Sequence, residues 1–142
     1  MFTAPRTKLK VGVLGATGMV GQRFVTLLES HPWYEVVVVA ASPSSAGKRY
    51  ADAVAGRWAM KSAVPSRTGA LTMLDASNVA TIAGAVDFVF CAVDMPKEDT
   101  ARLEEAYAKA ETPVVSNNSA LRMTGDVPLV VPEVNPEHAQ VI

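Results

Sequence analysis

Cysteine is almost absent from this chain. Cys91 is the only one in 142 residues, so no internal disulfide can form, and a soluble, reducing, cytoplasmic setting is expected. Neither sign of charge is in excess. The 13 Lys and Arg face 14 Asp and Glu, a net charge of −1, which offers no electrostatic footprint for nucleic acid or an anionic membrane. Long apolar runs are missing as well. The longest, Val36 to Ala41, is far below the roughly 18 residues that a membrane-spanning helix requires. Between Met1 and Lys8 no apolar stretch builds up that would make a secretory signal. Histidine is scarce too, and His31 and His138 lack the spacing of metal or triad chemistry. These absences leave a small-molecule ligand as the expected partner and no metal.

What remains suits a single domain, because a chain of about 150 residues buries roughly 68–70% of its unfolded surface and builds a core without staples. Lys8 to Leu14 reads as a buried strand running into Gly15-Ala16-Thr17-Gly18-Met19-Val20-Gly21. A helix follows, with Val20, Phe24, Leu27 and Leu28 predicted on its apolar face and Pro32 beyond its end. Glu35 to Ala41 is a second strand, and its four consecutive valines point to a parallel sheet covered on both faces. From Ser42 to Gly69 periodicity is lost, which predicts a long loop with short elements at most. Ala70 to Leu74 and Val86 to Val93 are further predicted strands. Asp94 is the expected N-cap of a helix with Pro96 in its first turn and Leu103, Ala106, Tyr107 and Ala110 inside. Glu98 with Arg102 and Glu105 with Lys109 stand at the pairing distance on its outer face. Pro113 to Val115 and Pro128 to Val131 are read as short strands, and Asn135-Pro136 as the start of another helix. The fold class expected is α/β, a doubly wound and mostly parallel Rossmann-type sheet.

A strand, a glycine turn and a helix start together offer what a dinucleotide pyrophosphate needs: unpaired amides, close approach and the positive end of a helix dipole. Gly15 is expected to make the tight turn, Gly18 to admit the phosphates, and Gly21 to let the helix pack closely on the first strand. The end of the second strand selects the nucleotide. An acid there favours the ribose 2′-hydroxyl of NAD, whereas Ala40 to Arg49 contains none. Hydroxyls of Ser42, Ser44 or Ser45, with Lys48 or Arg49, would instead clamp the 2′-phosphate of NADP. Cys91, in mid-strand, reads as inert packing. Ser116 to Arg122 follows a buried strand at the sheet edge where ligands of such folds bind, and Arg122 could fork onto a phosphate or carboxylate.

Four segments together resemble the aspartate-semialdehyde dehydrogenase family, in its archaeal and fungal branch: Gly15 to Phe24, Ser44 to Lys48, Ser116 to Ala120 and Val127 to Pro136. The resemblance implies an NADP-dependent, reversible conversion of aspartyl phosphate to aspartate semialdehyde, in the route to lysine, threonine and methionine. It also implies phosphate contacts at Thr17, Gly18, Met19 and Val20, 2′-phosphate contacts at Ser44, Ser45 and Lys48, Asn118 on the nicotinamide side, and Arg122 on the leaving phosphate. Leu121 departs from the His or aromatic residue that the family pattern places before that Arg. The family's Asn-Cys-(Ser/Thr) nucleophile motif and its later general-base His are not present. Residues 1–142 are thus expected to be an NADP-binding domain that stops before the catalytic region, inactive alone, from an enzyme that is a homo-oligomer when full length. Related acyl-phosphate or acyl-CoA reductases, acting on N-acetyl-glutamyl phosphate or malonyl-CoA, and a non-catalytic NADP-sensing module are the alternative readings.

Overall fold

The computed structural model describes residues 7–141. Five parallel strands form one sheet: β1 (Leu9–Leu14), β2 (Tyr34–Ala41), β3 (Leu74–Asp75), β4 (Phe88–Cys91) and β5 (Val114–Ser116), in the spatial order β3-β2-β1-β4-β5. The order reverses between β1 and β4, which leaves a crevice at their C-terminal ends. The main helices are α1 (Met19–Leu28) and α5 (Lys97–Lys109), with shorter α2 (Tyr50–Ala53), α3 (Ser66–Gly69) and α4 (Val79–Ala83) between them.

The four valines of β2 serve both faces of the sheet by way of a bulge. Val11 pairs with Val36 but Gly12 pairs with Val38, so Val37 is the extra residue. Val36, Val39 and Ala41 therefore join one core with Val25 and Leu28 of α1 and Tyr50 of α2. Val38 and Ala40, with Val37 at their margin, join the other with Ile82 of α4 and Tyr107 of α5. Both faces of the central strands are covered, as a doubly wound sheet requires.

Several expectations shift in register. In α1 the buried residues are Gly21, Gln22, Val25 and Leu28, while Val20 and Leu27 are 44% and 57% exposed. The helix is rotated from its most apolar face because Gly21 sits directly on the turn after β1. A Cβ there would lie 2.1 Å from the Gly15 carbonyl oxygen, and that contact outweighs the transfer energy of two aliphatic side chains. In α5 Tyr107 is buried and Leu103 packs against the second core as expected, but Thr100 and Glu104 also turn inward and Ala110 is exposed. Pro96 rather than Asp94 occupies the N-cap position, and Arg102 pairs with Asp99 rather than Glu98.

The stretch expected as a loop contains a strap. Gly47, at φ +81, donates to Met73 O (2.9 Å), Met73 N to Lys48 O (2.8 Å) and Tyr50 N to Leu71 O (2.9 Å). Residues 71–73 thus run against 47–50 through an antiparallel bridge, Arg49 with Thr72, and of the predicted strand Ala70 to Leu74 only Leu74 enters the sheet, joined there by Asp75. The predicted strand at Pro128 to Val131 is not formed. Asn135 ties that segment as a loop, accepting from Val131 N (2.6 Å) and donating to Leu129 O (2.8 Å), before a 3-10 helix at Pro136–Val141.

Replacing Gly21 by Ala forces α1 off β1, and overpacking of this kind costs about 1–3 kcal/mol. Urea unfolding of Gly21→Ala is expected to show that loss, and an unchanged midpoint would mean that the helix has room to move.

Candidate functional site

The glycine turn is built by neighbours that hold each of its carbonyls. Gly15, at φ +78, lies so close to β4 that a Cβ would meet the Ala92 carbonyl oxygen at 2.3 Å. Its amide and that of Ala16 both donate to Ala40 O, at 2.8 and 3.1 Å. Buried Tyr50 donates its hydroxyl to Ala16 O (2.8 Å). Gln22, 1% exposed, donates to Thr17 O (2.9 Å) and Arg57 O (3.1 Å) and accepts from Ala59 N (2.7 Å). On the opposite face of the sheet Tyr107 donates to Ala76 O (2.7 Å). Two buried tyrosines, one per face, thus brace loops at the C-terminal edge of the sheet.

Gly18 is the exception among these contacts. The nearest atom to a Cβ built there is Gly15 O at 3.5 Å, an ordinary contact. Nothing in the chain itself requires glycine at this position. The first bond of α1 runs from Gln22 N to Gly18 O (2.9 Å), so the amides of Met19, Val20 and Gly21 precede it and lack intrahelical partners. Gly18 opens onto a cleft of about 450 Å³ whose lining includes Gly15, Thr17, Ser42, Pro43, Arg57 and Asp94. That volume is ordinary for a small-molecule site, and its place at the reversal of strand order is where open α/β sheets bind ligands.

The other expected site residues are divided between this cleft, its surroundings and a second hollow. Ser42 lines it and stands 2.9 Å from Ser44, hydroxyl to hydroxyl. Ser44 and Ser45 lie in the 3-10 turn Pro43–Ser45, and Lys48 in the exposed strap behind it, outside the lining. No acid follows β2 in sequence, although Asp75 of β3 stands beside Ala41 in the sheet, and Glu35 is at the opposite end, paired with Arg67. Met19 and Val20 are exposed in the first turn of α1. Asn118 and Arg122 belong to a second hollow, of about 510 Å³, beside β5 and α5. There Asn118 donates from Nδ2 to Glu104 Oε1 (3.4 Å) and to Cys91 Sγ (3.6 Å), and Ser116 Oγ donates to the same Glu104 oxygen. Arg122 donates to Asn117 O (3.3 Å).

Gln22, Tyr50, Arg57 and Glu104 are the residues that sequence reasoning did not find. Gln22 was the most accessible of them, since it follows Gly21 and must point inward once that glycine is taken as the packing contact. Tyr50 and Arg57 lie in the aperiodic stretch, where only the chain path reveals their role. Glu104 interrupts the inner face of α5 and reads as an error of pattern until Ser116 and Asn118 are seen to donate to it.

Among the described residues no group of three or more His, Cys, Asp and Glu could hold a metal, and no helix is long and apolar enough to cross a membrane. Residues 10–142 match the family described as Semialdehyde dehydrogenase, NAD binding domain. The chain belongs to that family. The aspartate-semialdehyde dehydrogenase of Archaeoglobus fulgidus is 42% identical to it over 137 residues, 95% of this chain and 37% of the relative. That of Aspergillus fumigatus is 44% identical over 135 residues, again 95% of this chain and 36% of the relative. A crystal structure of aspartate semialdehyde dehydrogenase with NADP from Candida albicans aligns with a TM-score of 0.85 at 38% identity, over 94% of this chain and 36% of that one. This semialdehyde dehydrogenase domain therefore spans little more than a third of the length of these relatives.

Cys91, the domain's only thiol, is fully buried in β4, and burial pushes it up to about 12. The unfolded chain loses this proton near the ordinary value of 9.0, the folded chain only well above it. Stability from this group is therefore complete below about pH 8.5 and is lost as the pH climbs toward 12. Cys91→Ala should flatten part of the alkaline slope of a pH-dependent melt. At pH 8, alkylation by iodoacetamide is expected to be at least about tenfold slower in the folded than in the urea-unfolded chain; equal rates would show that the thiol is accessible.

Proposed function

We propose that the chain is the NADP-binding portion of an aspartate-semialdehyde dehydrogenase, which interconverts aspartyl phosphate and aspartate semialdehyde with release of inorganic phosphate. The observation that carries this reading is the open space over Gly18. The other two glycines of the turn are explained by the fold, whereas Gly18 stands bare at the mouth of a cleft, beside amides that a pyrophosphate would engage. A side chain at Gly18 would occupy the ligand's volume while leaving the protein's own contacts intact.

In this reading Gly15, Thr17, Gly18, Met19, Val20 and Gly21 form the pyrophosphate cradle. Ser42, Ser44, Ser45 and Lys48 receive the 2′-phosphate from the end of β2, where no acid follows in sequence to claim a ribose 2′-hydroxyl. Asn118, its amide anchored on Glu104, holds the nicotinamide side at the end of β5. Arg122 takes the substrate phosphate as a planar, permanently charged fork. The bound nicotinamide supplies hydride transfer. The chain's own residues orient the cofactor and leave the chemistry of the acyl group to a nucleophile other than Cys91, whose burial keeps it protonated.

The nucleotide preference tests this directly. A charge-assisted hydrogen bond contributes about 1.5–3 kcal/mol and about 1.4 kcal/mol is a factor of ten, so calorimetry should show NADP binding at least about tenfold tighter than NAD. Lys48→Ala should weaken NADP and leave NAD nearly alone. Gly18→Val should weaken both without a matching loss of stability, and equal affinities for the two nucleotides in the unaltered chain would identify the serine-rich turn as a solvated connector.

A second test concerns activity. The purified 142-residue chain should bind nucleotide yet form no NADPH from aspartate semialdehyde and phosphate. NADPH formation that disappears in Cys91→Ala would overturn the assignment of that thiol as packing.

A further inference from the structure

Among the described residues Arg57 is the only cation that lines the cleft over Gly18, and the other charged groups there are the carboxylates of Asp75 and Asp94. Its backbone is fixed from three directions. Arg57 N donates to Val54 O (3.0 Å), Arg57 O accepts from Gln22 Nε2 (3.1 Å), and two residues on Ala59 N donates to Gln22 Oε1 (2.7 Å). The same Gln22 amide holds Thr17 O. One buried side chain thus locks the segment carrying Arg57 to the glycine turn, and the base of the guanidinium stem costs little further entropy to order. The ion pairs among the described residues are Arg67 with Glu35 and Arg102 with Asp99, so Arg57 brings its charge to the cleft without a carboxylate partner.

The phosphates of a dinucleotide would find different donors here. The pyrophosphate has the amides of the first turn of α1. At the end of β2 stand the hydroxyls of Ser42 and Ser44, which are neutral and cannot offset a dianion. Asp75 lies next to Ala41 in the sheet and adds negative potential, although its Oδ1 accepts from Ser77 N (2.9 Å) and Ser77 Oγ (2.8 Å). Lys48 is exposed and does not line the cleft. Within the lining, the cation that could join Lys48 on such a phosphate is Arg57.

Resting on the nucleotide-binding reading, we propose that the Arg57 guanidinium engages the adenosine 2′-phosphate together with Ser42 and Ser44, and so is a determinant of NADP over NAD specificity. Its planar fork suits a phosphate that two hydroxyls already orient. Arg57 is exposed, so its substitution leaves the core intact, and a circular-dichroism melt matching that of the unaltered chain establishes that the variants are folded.

The test is calorimetric titration of the 142-residue chain and of its R57A and R57K variants with NADP and with NAD. R57A should lose at least about tenfold in NADP affinity while NAD changes by less than about twofold, and R57K, which keeps the charge but not the fork, should recover part of the loss. A parallel fall in NADP and NAD would place Arg57 on the pyrophosphate and overturn the proposal. Unchanged NADP binding in R57A would overturn it as well, with the nucleotide reading left standing. Failure of the unaltered chain to bind either nucleotide would overturn both.

Discussion

The contact between Gly21 and the carbonyl of Gly15 sets the geometry of everything around it. With no Cβ at residue 21, α1 descends onto the turn after β1 to a distance that any side chain would forbid. The helix axis and rotation follow from that approach. Val25 and Leu28 reach the sheet, Gln22 is carried inward, and Val20 and Leu27 are turned out. The same approach aims the first-turn amides of α1 at the crevice between β1 and β4 and leaves Gly18 bare at its mouth. A packing constraint and a ligand-binding geometry are therefore one feature here.

Polar side chains turn this contact into a rigid edge. Gln22 and Tyr50 satisfy the carbonyls of Thr17 and Ala16 from one side of the sheet, and Tyr107 satisfies Ala76 from the other. Each is buried, and a buried donor or acceptor left alone costs about 1–3 kcal/mol, so each fixes its loop closely. Desolvation raises the ionisation of both tyrosines well above the ordinary phenol range, which keeps these hydroxyls as donors across the physiological range. At the β5 end, Glu104 plays the corresponding part by accepting from Ser116 and Asn118. The rim of the sheet is thus held by hydrogen bonds in which few of the exposed charges take part.

Charge is distributed unevenly around this rim. The outer surface carries mixed signs in near balance, whereas the cleft over Gly18 holds one guanidinium and two carboxylates. One of those carboxylates, Asp75, is turned back on its own loop by Ser77. An anionic ligand in this cleft would depend on fixed dipoles and a single well-placed cation more than on any broad positive field, so its binding would depend on the fold being intact.

Much of the architecture was legible along the chain. Apolar runs bounded by turn residues mark β1, β2 and β4, because a strand covered on both faces has little polar to place in it; β5, expected as buried, is an edge strand with Val115 51% exposed. The spacing of Gly15, Gly18 and Gly21 at a strand-to-helix junction marks the glycine turn, because only glycine tolerates the curvature at residue 15 and the close approach at residue 21. The absence of an acid after β2 is likewise a property of the residues alone. Tertiary structure decided what depends on partners distant in sequence. It rotated α1, since a glycine contact outranks an aliphatic face, and placed a bulge at Val37 to divide a uniform valine run between two cores. It withdrew residues 71–73 into a strap with 47–50, where their backbone groups find partners more than 20 residues away in sequence. It also brought Arg57 to the cleft through Gln22, 35 residues away in sequence, a meeting that no local pattern encodes because neither residue's periodicity refers to the other.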